Sequence, residues 1–263
     1  MSLKNKVALL TGAGGVGCGR AIARRLAKAG AAVVCCDLDE LGAHETAKLV
    51  AKDGGRAVVR SCDVRVAEQV EDAIAFAVRE LGAVDVLVND ASAPFRPQEP
   101  LEHWADTIAT DLLGTMTATR AAIEIMKSRG GAIVNMGSTS ALAHGRRGPG
   151  GSPAYDVAKA GVMRLTTMLA PLAKENVRVN CLLPDWVATP EVREYVDSVP
   201  EAERAARGIP AKLTTLEEIA EAVMRLVKDE SLAGRVLVWW SEDDAPRVIP
   251  FGDRGYAALE ELP

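Results

Sequence analysis

Val7-Ala8-Leu9-Leu10-Thr11-Gly12-Ala13-Gly14-Gly15-Val16-Gly17-Cys18-Gly19, running on into Arg20-Ala21-Ile22-Ala23-Arg24-Arg25-Leu26-Ala27-Lys28, is the stretch on which the fold turns. Its opening residues form a short apolar run bounded by a turn signal, the pattern of a buried strand. The glycine cluster reads as a turn. From Arg20 onward, Ile22 and Leu26 fall four apart with basic side chains on the other face, which is a helix closed by Gly30. Strand, glycine turn and helix in this order let backbone N–H groups and a helix N-terminus meet a pyrophosphate. Gly12, Gly14 and Gly17 satisfy the G-x-G-x-x-G spacing, and Gly17 with Gly19 offers a second register.

The alternation continues along the chain. A second strand over 32–36 ends on Asp37 and a third over 57–62 ends on Asp63, with helical patterns over 41–51 and 68–81. A buried strand over 84–88 ends on Asn89. A long helix is expected over 104–126, interrupted only by Gly114, and a strand over 132–136 leads into Ser138. A helix over 154–173, a strand over 177–183 before Pro184, a helix over 216–228 and a last strand over 235–240 complete the series. Such alternation implies an α/β fold: one Rossmann-type, doubly wound parallel sheet of about seven strands with helices on both faces. No repeat or linker interrupts it, so a single domain over 1–263 is expected, with 241–263 an acidic, irregular tail. Ligands of these sheets bind outside the carboxyl ends of the strands. Thr11, Asp37, Asp63, Asn89, Ser138 and Pro184 are therefore the candidate site positions.

Apolar residues make up 48% of the 263 and charged residues 25%, enough for a large core. A net charge of −5 offers no attraction to nucleic acid or to an anionic membrane. The first strand begins too early to leave room for a signal peptide, and no apolar run approaches the ~20 residues of a membrane span, so a cytoplasmic location is expected. Cys18, Cys35, Cys36, Cys62 and Cys181 lack paired metal-ligand spacing. They read as reduced, mostly buried thiols, Cys35 and Cys36 facing opposite sides of their strand, and no metal is expected.

Tyr155 and Lys159 stand four apart in the helix over 154–173, hence on one face. A tyrosine with a pKa of about 10 transfers protons poorly near neutrality until a cation stabilises its phenolate, and Lys159 is placed to be that cation. Taken alone, such a pair is more often a chance feature of a surface helix. Asp37 suits hydrogen bonds from an adenosine ribose and also suits a helix cap. With Asp39 close by and no arginine directly after Asp37, a 2′-phosphate would be repelled, which favours NAD over NADP.

These residues, with Thr11-Gly12, Gly17-x-Gly19, Asp63-Val64, Asn89-Asp90-Ala91-Ser92, Ser138 and Pro184-Asp185-x-x-x-Thr189, resemble the motif set of the short-chain dehydrogenase/reductase family, up to about Trp240. The resemblance implies an NAD(P)-dependent oxidoreductase interconverting a secondary alcohol and a ketone. It implies that Tyr155 exchanges the proton, that Lys159 lowers its pKa and binds the nicotinamide ribose, and that Ser138 hydrogen-bonds the substrate oxygen. Gly12, Gly14, Gly17, Gly19 and Asp37 would hold the dinucleotide, Asp63 and Val64 would contact the adenine, and Asn89 would line the cofactor. Val187 and Thr189 would bind the carboxamide. Structural readings stand beside each: Asp63 as a turn residue, Thr189 as a helix cap, Ser138 as an ordinary strand-end serine. Most relatives are dimers or tetramers joined through the helices matching 104–126 and 154–173, so a homodimer or homotetramer is implied. The stripe Val162, Leu165, Met168 and Leu169 suits that contact or internal packing equally.

The chain also departs from the family pattern. The family's catalytic asparagine is matched by Asp111, which accepts hydrogen bonds but does not donate them when ionised. Asp111 is expected either to hold a relay water near Lys159 or to draw that lysine into an ion pair, unless the position simply tolerates an isostere. Asn-Asn-Ala-Gly becomes Asn89-Asp90-Ala91-Ser92, Pro-Gly becomes Pro184-Asp185, and the glycine turn is one residue longer. These changes motivate an alternative, a catalytically weak relative that binds dinucleotide as a sensor or scaffold subunit. An epimerase or dehydratase using the same site is a third reading. The stretch between Ser138 and Tyr155 is longer than usual and carries Arg146 and Arg147, which either hold an acidic substrate or form a solvated turn. Residues 191–212 correspond to the family's substrate lid, and Trp186 either lines the pocket or packs.

Overall fold

The structure, a computed structural model, describes residues 2–94, 100–142 and 152–250. Arg146, Arg147 and the tail beyond 250 lie outside the described residues, and so does the expectation attached to each. Eight strands form one sheet in the order β3-β2-β1-β4-β5-β6-β7-β8. They are β1 Val7–Thr11, β2 Ala32–Asp37, β3 Arg56–Ser61, β4 Val86–Asn89, β5 Gly131–Met136, β6 Val177–Pro184, β7 Val236–Trp239 and β8 Arg247–Val248. The first seven run parallel, and β8 lies antiparallel on β7. The expected count of about seven and the irregular tail are corrected by β8. A two-residue strand is too short for alternation to be legible.

Side-chain alternation along the strands splits the core in two. Ala8, Leu10, Val33, Cys35, Val88 and Val134 face helices α1 (Cys18–Lys28) and α9 (Leu216–Lys228). Val7, Leu9, Val34, Cys36, Leu87 and Ile133 face α3 (Ala67–Leu81) and α5 (Thr115–Met126). Cys35 and Cys36 thus go to opposite faces, and all five thiols are free. Helix α2 (Glu40–Lys52) is capped by Asp39, whose side chain accepts from Gly42 N–H.

The long helix expected over 104–126 is segmented. A 3-10 turn at Leu101–His103 and a single α turn, α4 (Trp104–Thr107), precede a π-helical stretch at Ile108–Gly114, before α5. A π turn draws on the same residue pattern as an α-helix, so periodicity does not reveal it. The helix expected over 154–173 is α6 (Pro153–Met168), followed by a 3-10 turn at Ala170–Glu175. Pro171 has no N–H to continue the α ladder. After β6 come α7 (Pro190–Ser198) and the short α8 (Glu201–Arg204). They carry a small apolar cluster of Val196, Val199 and Ile209.

Strand order reverses between β1 and β4, which are direct neighbours although β2 and β3 intervene in sequence. The crevice outside the carboxyl ends of these two strands is the topological switch point.

Candidate active site

Ser152 is the N-cap of α6, accepting from Tyr155 N–H at 3.3 Å, and Pro153 occupies the first turn with its φ already helical. This start sets Tyr155 at the mouth of the helix and Lys159 one turn deeper, where it is 4% exposed. Ser138, just beyond β5, hydrogen-bonds the Tyr155 hydroxyl. Lys159 Nζ lies 5.2 Å from the centre of the Tyr155 ring and donates to Met136 O at 3.1 Å. Burial raises the Tyr155 pKa; Lys159 opposes the rise, Asp111 adds to it and the Ser138 hydrogen bond reduces it, with the net result above the ordinary tyrosine value.

Asp111 belongs to this group. It is fully buried on the π-helical stretch, 3.1 Å from Lys159 Nζ. Its carboxylate also accepts from Ser92 Oγ at 2.5 Å and Ala93 N–H at 2.7 Å. The expected lysine–carboxylate pair is therefore formed. Burial works against the Lys159 ammonium, but Asp111 and then Tyr155 outweigh it, and its pKa is raised. Ser92 stands where the family has a glycine, and its hydroxyl donates to the carboxylate that replaces an amide. The two departures are one arrangement.

At the switch point the glycine turn lies flush against the end of β4. Gly12 has φ 80°, and a Cβ there would meet Ala91 N at 2.6 Å; a Cβ on Gly19 would meet Gly12 O at 2.0 Å. Only glycine lets the chain pass this closely. Among the described residues, no protein acceptor meets the N–H groups of Gly15, Val16 and Gly17, which leaves them to an anion or to solvent. Gly14 N–H donates to Asp37 Oδ2 at 2.7 Å, and Asp39 N–H to Asp37 Oδ1 at 2.8 Å. The cradle therefore fits a pyrophosphate, with the carboxylates of Asp37 and Asp39 beside it. Asp39, not Asp37, is the helix cap.

The remaining candidates differ in how open they are. Asp63 accepts from the Arg65 backbone N–H and pairs with the Arg65 guanidinium at 2.7 Å, the turn role foreseen for it. Val64 is buried against Gly114. Asn89 is 3% exposed and its amide donates to Thr119 Oγ1 and Asn135 Oδ1, while Asn135 donates to Thr166 Oγ1. Its side chain is thus committed inside the protein. Thr189 caps α7 through Val192 N–H, and its Cγ2 lies 3.4 Å from where a Cβ on Gly17 would be. Val187 pairs with Thr214 in a β-bridge. The segment after β6 therefore reaches the glycine turn.

Three contacts were not legible from motifs. Asp185 accepts from Thr139 Oγ1 at 3.0 Å and from Ser241 N–H at 3.4 Å, tying together the ends of β5, β6 and β7. Asp90 accepts from Gly19 N–H. Trp186 stacks on Tyr195 with ring centres 6.1 Å apart, so it packs against α7. In the apolar stripe of α6, Val162 is buried whereas Met168 is 59% exposed.

A family model described as enoyl-(acyl carrier protein) reductase matches residues 12–237. The chain is 37% identical over 241 residues to the short-chain reductase protein NovJ of Streptomyces niveus, covering 87% of this chain and 89% of that protein. It is also 37% identical to the cis-4-hydroxycyclohexanecarboxylate dehydrogenase of Sinomonas cyclohexanicum, covering 85% of this chain and 90% of that one. A solved 7α-hydroxysteroid dehydrogenase, in complex with NADH and 7-oxo glycochenodeoxycholic acid, superposes with a TM-score of 0.81 at 26% identity, covering 92% of this chain and 95% of that chain. Likeness of this closeness along most of both partners means that the chain belongs to the short-chain dehydrogenase/reductase family of oxidoreductases.

Proposed function

We propose that the protein is an NAD-preferring dehydrogenase that interconverts a secondary alcohol and a ketone. The observation that carries this reading is the convergence of Ser138, Tyr155 and Lys159: a hydroxyl bonded to the phenol, with an ammonium 5.2 Å from its ring. The nicotinamide, when bound, supplies hydride acceptance or donation. Ser138 holds the substrate oxygen, and Tyr155 gives that oxygen a proton in ketone reduction or removes one in alcohol oxidation. Because its pKa lies above the ordinary value, Tyr155 is a phenol at neutral pH, the form ketone reduction requires. Lys159 offsets part of the cost of charging the phenol and would hold the nicotinamide ribose.

The dinucleotide would lie on Gly12, Gly14, Gly17 and Gly19, with Asp37 on the ribose, Asp63 and Val64 by the adenine, and Val187 and Thr189 by the carboxamide. Asn89 would contribute through its backbone. The preference for NAD rests on the charge of Asp37 and Asp39 at that end. A clear preference for NADPH over NADH in a binding titration refutes it. We place the protein in the cytoplasm as a homodimer or homotetramer.

The test is turnover of an alcohol panel with NAD and NADP, comparing the protein with Tyr155→Phe. Loss of a proton-transfer group is expected to lower kcat by about 10²–10⁴-fold. Turnover undiminished by the substitution sinks the mechanism. The Asp111 carboxylate beside Lys159 favours a second reading, a dinucleotide-binding sensor with little turnover. Tight NADH binding with no turnover on a broad panel would select it.

A further inference from the structure

We infer that Asp90 is a working part of the dinucleotide site and takes up a proton when the dinucleotide binds, an inference that rests on the cofactor reading above. Asp90 follows β4 directly, and its backbone N–H donates to Thr11 O at 3.3 Å, which fixes it at the mouth of the β1/β4 crevice. Its carboxylate accepts from Gly19 N–H in the first turn of α1, and Oδ2 lies 3.0 Å from where a Cβ on Gly19 would be. That turn is the positive end of the helix macrodipole, the place a pyrophosphate uses. The protein has therefore put one anion of its own behind the cradle meant for another.

The groups facing Asp90 decide how it responds. Lys159 on α6 and the Gly19 N–H favour its charged form, whereas Asp37 at the end of β2 and Asp111 on the π-helical stretch disfavour it. On α1, the Cys18 thiol is held neutral by burial and by Asp90 itself. Burial is the largest influence on Asp90 and pushes its carboxyl up to about 7. In the free protein the residue is still half-buried. A dinucleotide seated on the glycine turn would cover that opening and bring its phosphate charge alongside, and both changes favour the neutral carboxyl further. Protonation removes the repulsion and turns an acceptor-only group into one with an O–H donor. Affinity should then weaken as pH rises through the titration of Asp90, approaching about tenfold per pH unit for a single linked proton.

The experiment is calorimetric titration of the intact protein with NADH near pH 8, in two buffers of different ionisation enthalpy, which counts protons taken up on binding. Affinity is followed by NADH fluorescence from about pH 6 to about pH 9. Uptake approaching one proton and an affinity that falls with pH are expected. Asp90→Asn should bind NADH without uptake, with a flat pH dependence and more tightly than the parent at the alkaline end. NADH binding by the parent with no proton uptake overturns the inference, as does uptake that persists in Asp90→Asn. Should Asp90→Asn not fold, Asp90→Ser serves as the second variant, and the proton count on the unmodified protein stands by itself. Failure to bind NADH at any pH tells against the cofactor reading instead, and the inference falls with it.

Discussion

Asn89 and Asp90 are neighbours in sequence at the end of β4, and they belong to two polar networks of opposite character. Asn89 leads into a neutral ladder, Thr119–Asn89–Asn135–Thr166, that crosses from α5 through β4 and β5 to α6. Asp90 faces a charged cluster in which Asp111 and Lys159 are buried at contact distance. Amides and hydroxyls bond to one another without regard to pH, although Asn89 Oδ1 is buried with no partner among the described residues, so the first network holds the sheet to the helices. The second holds charges whose balance shifts with every proton or anion that arrives. Two residues that a motif writes side by side thus do separate work, one architectural and one responsive.

The contrast breaks most visibly at Lys159. Lys159→Met leaves the fully buried Asp111 without its cation, and removing one partner of a buried pair costs about 3–5 kcal/mol. Chemical denaturation should show that loss together with the loss of turnover; a stability change near zero would mean the cluster is more hydrated than its burial implies. In the neutral ladder, Asn135→Ala should cost about 1–3 kcal/mol by removing one buried hydrogen bond each from Asn89 and Thr166, which keep Thr119 and Val162 O, and the cost should be the same at pH 6 as at pH 8. A pH-dependent cost there would erase the distinction between the networks.

Smaller effects sharpen the distinction. The Asp90 pKa is about 7 in the folded protein against about 3.9 when unfolded. The folded state therefore holds this proton more tightly, and the stability it contributes is present below pH 4 and is lost as pH rises towards 7. The melting temperature of Asp90→Asn relative to the parent should climb across that window, measured by scanning calorimetry at several pH values. Read on the pH profile rather than on stability, Asp111→Asn removes a charge that raises the Tyr155 pKa. The acid-side limb of alcohol oxidation, set by deprotonation of Tyr155, should move to lower pH with activity kept or increased; collapse of activity would mean that the charge itself is required.

The sheet and the site differ in how far sequence reveals them. Apolar runs such as Val7–Thr11, buried on both faces, announce a parallel strand by composition alone, and the glycines between it and α1 state the crevice. Tyr155 and Lys159 are legible because a spacing of four puts them on one helix face, and Ser138 because it stands at a strand end within the family's motif set. The coupling of Ser92 to Asp111 is not, because the two lie 19 residues apart and are joined only when the π-helical stretch turns Asp111 inward. The same holds for Asp185, whose partners Thr139 and Ser241 come from the ends of other strands. Sequence periodicity reports which face is apolar. It does not report which polar groups meet at a strand end.

Strand β8 gives the sheet a protection that its catalytic half would otherwise lack. Without it, Val236–Trp239 would present a row of unpaired N–H and C=O groups, a template on which a second chain could add a strand. Two residues, Arg247 and Val248, together with Ile249 N–H on Val236 O, close that row, and the outermost strand is too short and too exposed to recruit another. A chain shortened before Arg247 should therefore self-associate through its β7 edge even where Ser138, Tyr155 and Lys159 are untouched.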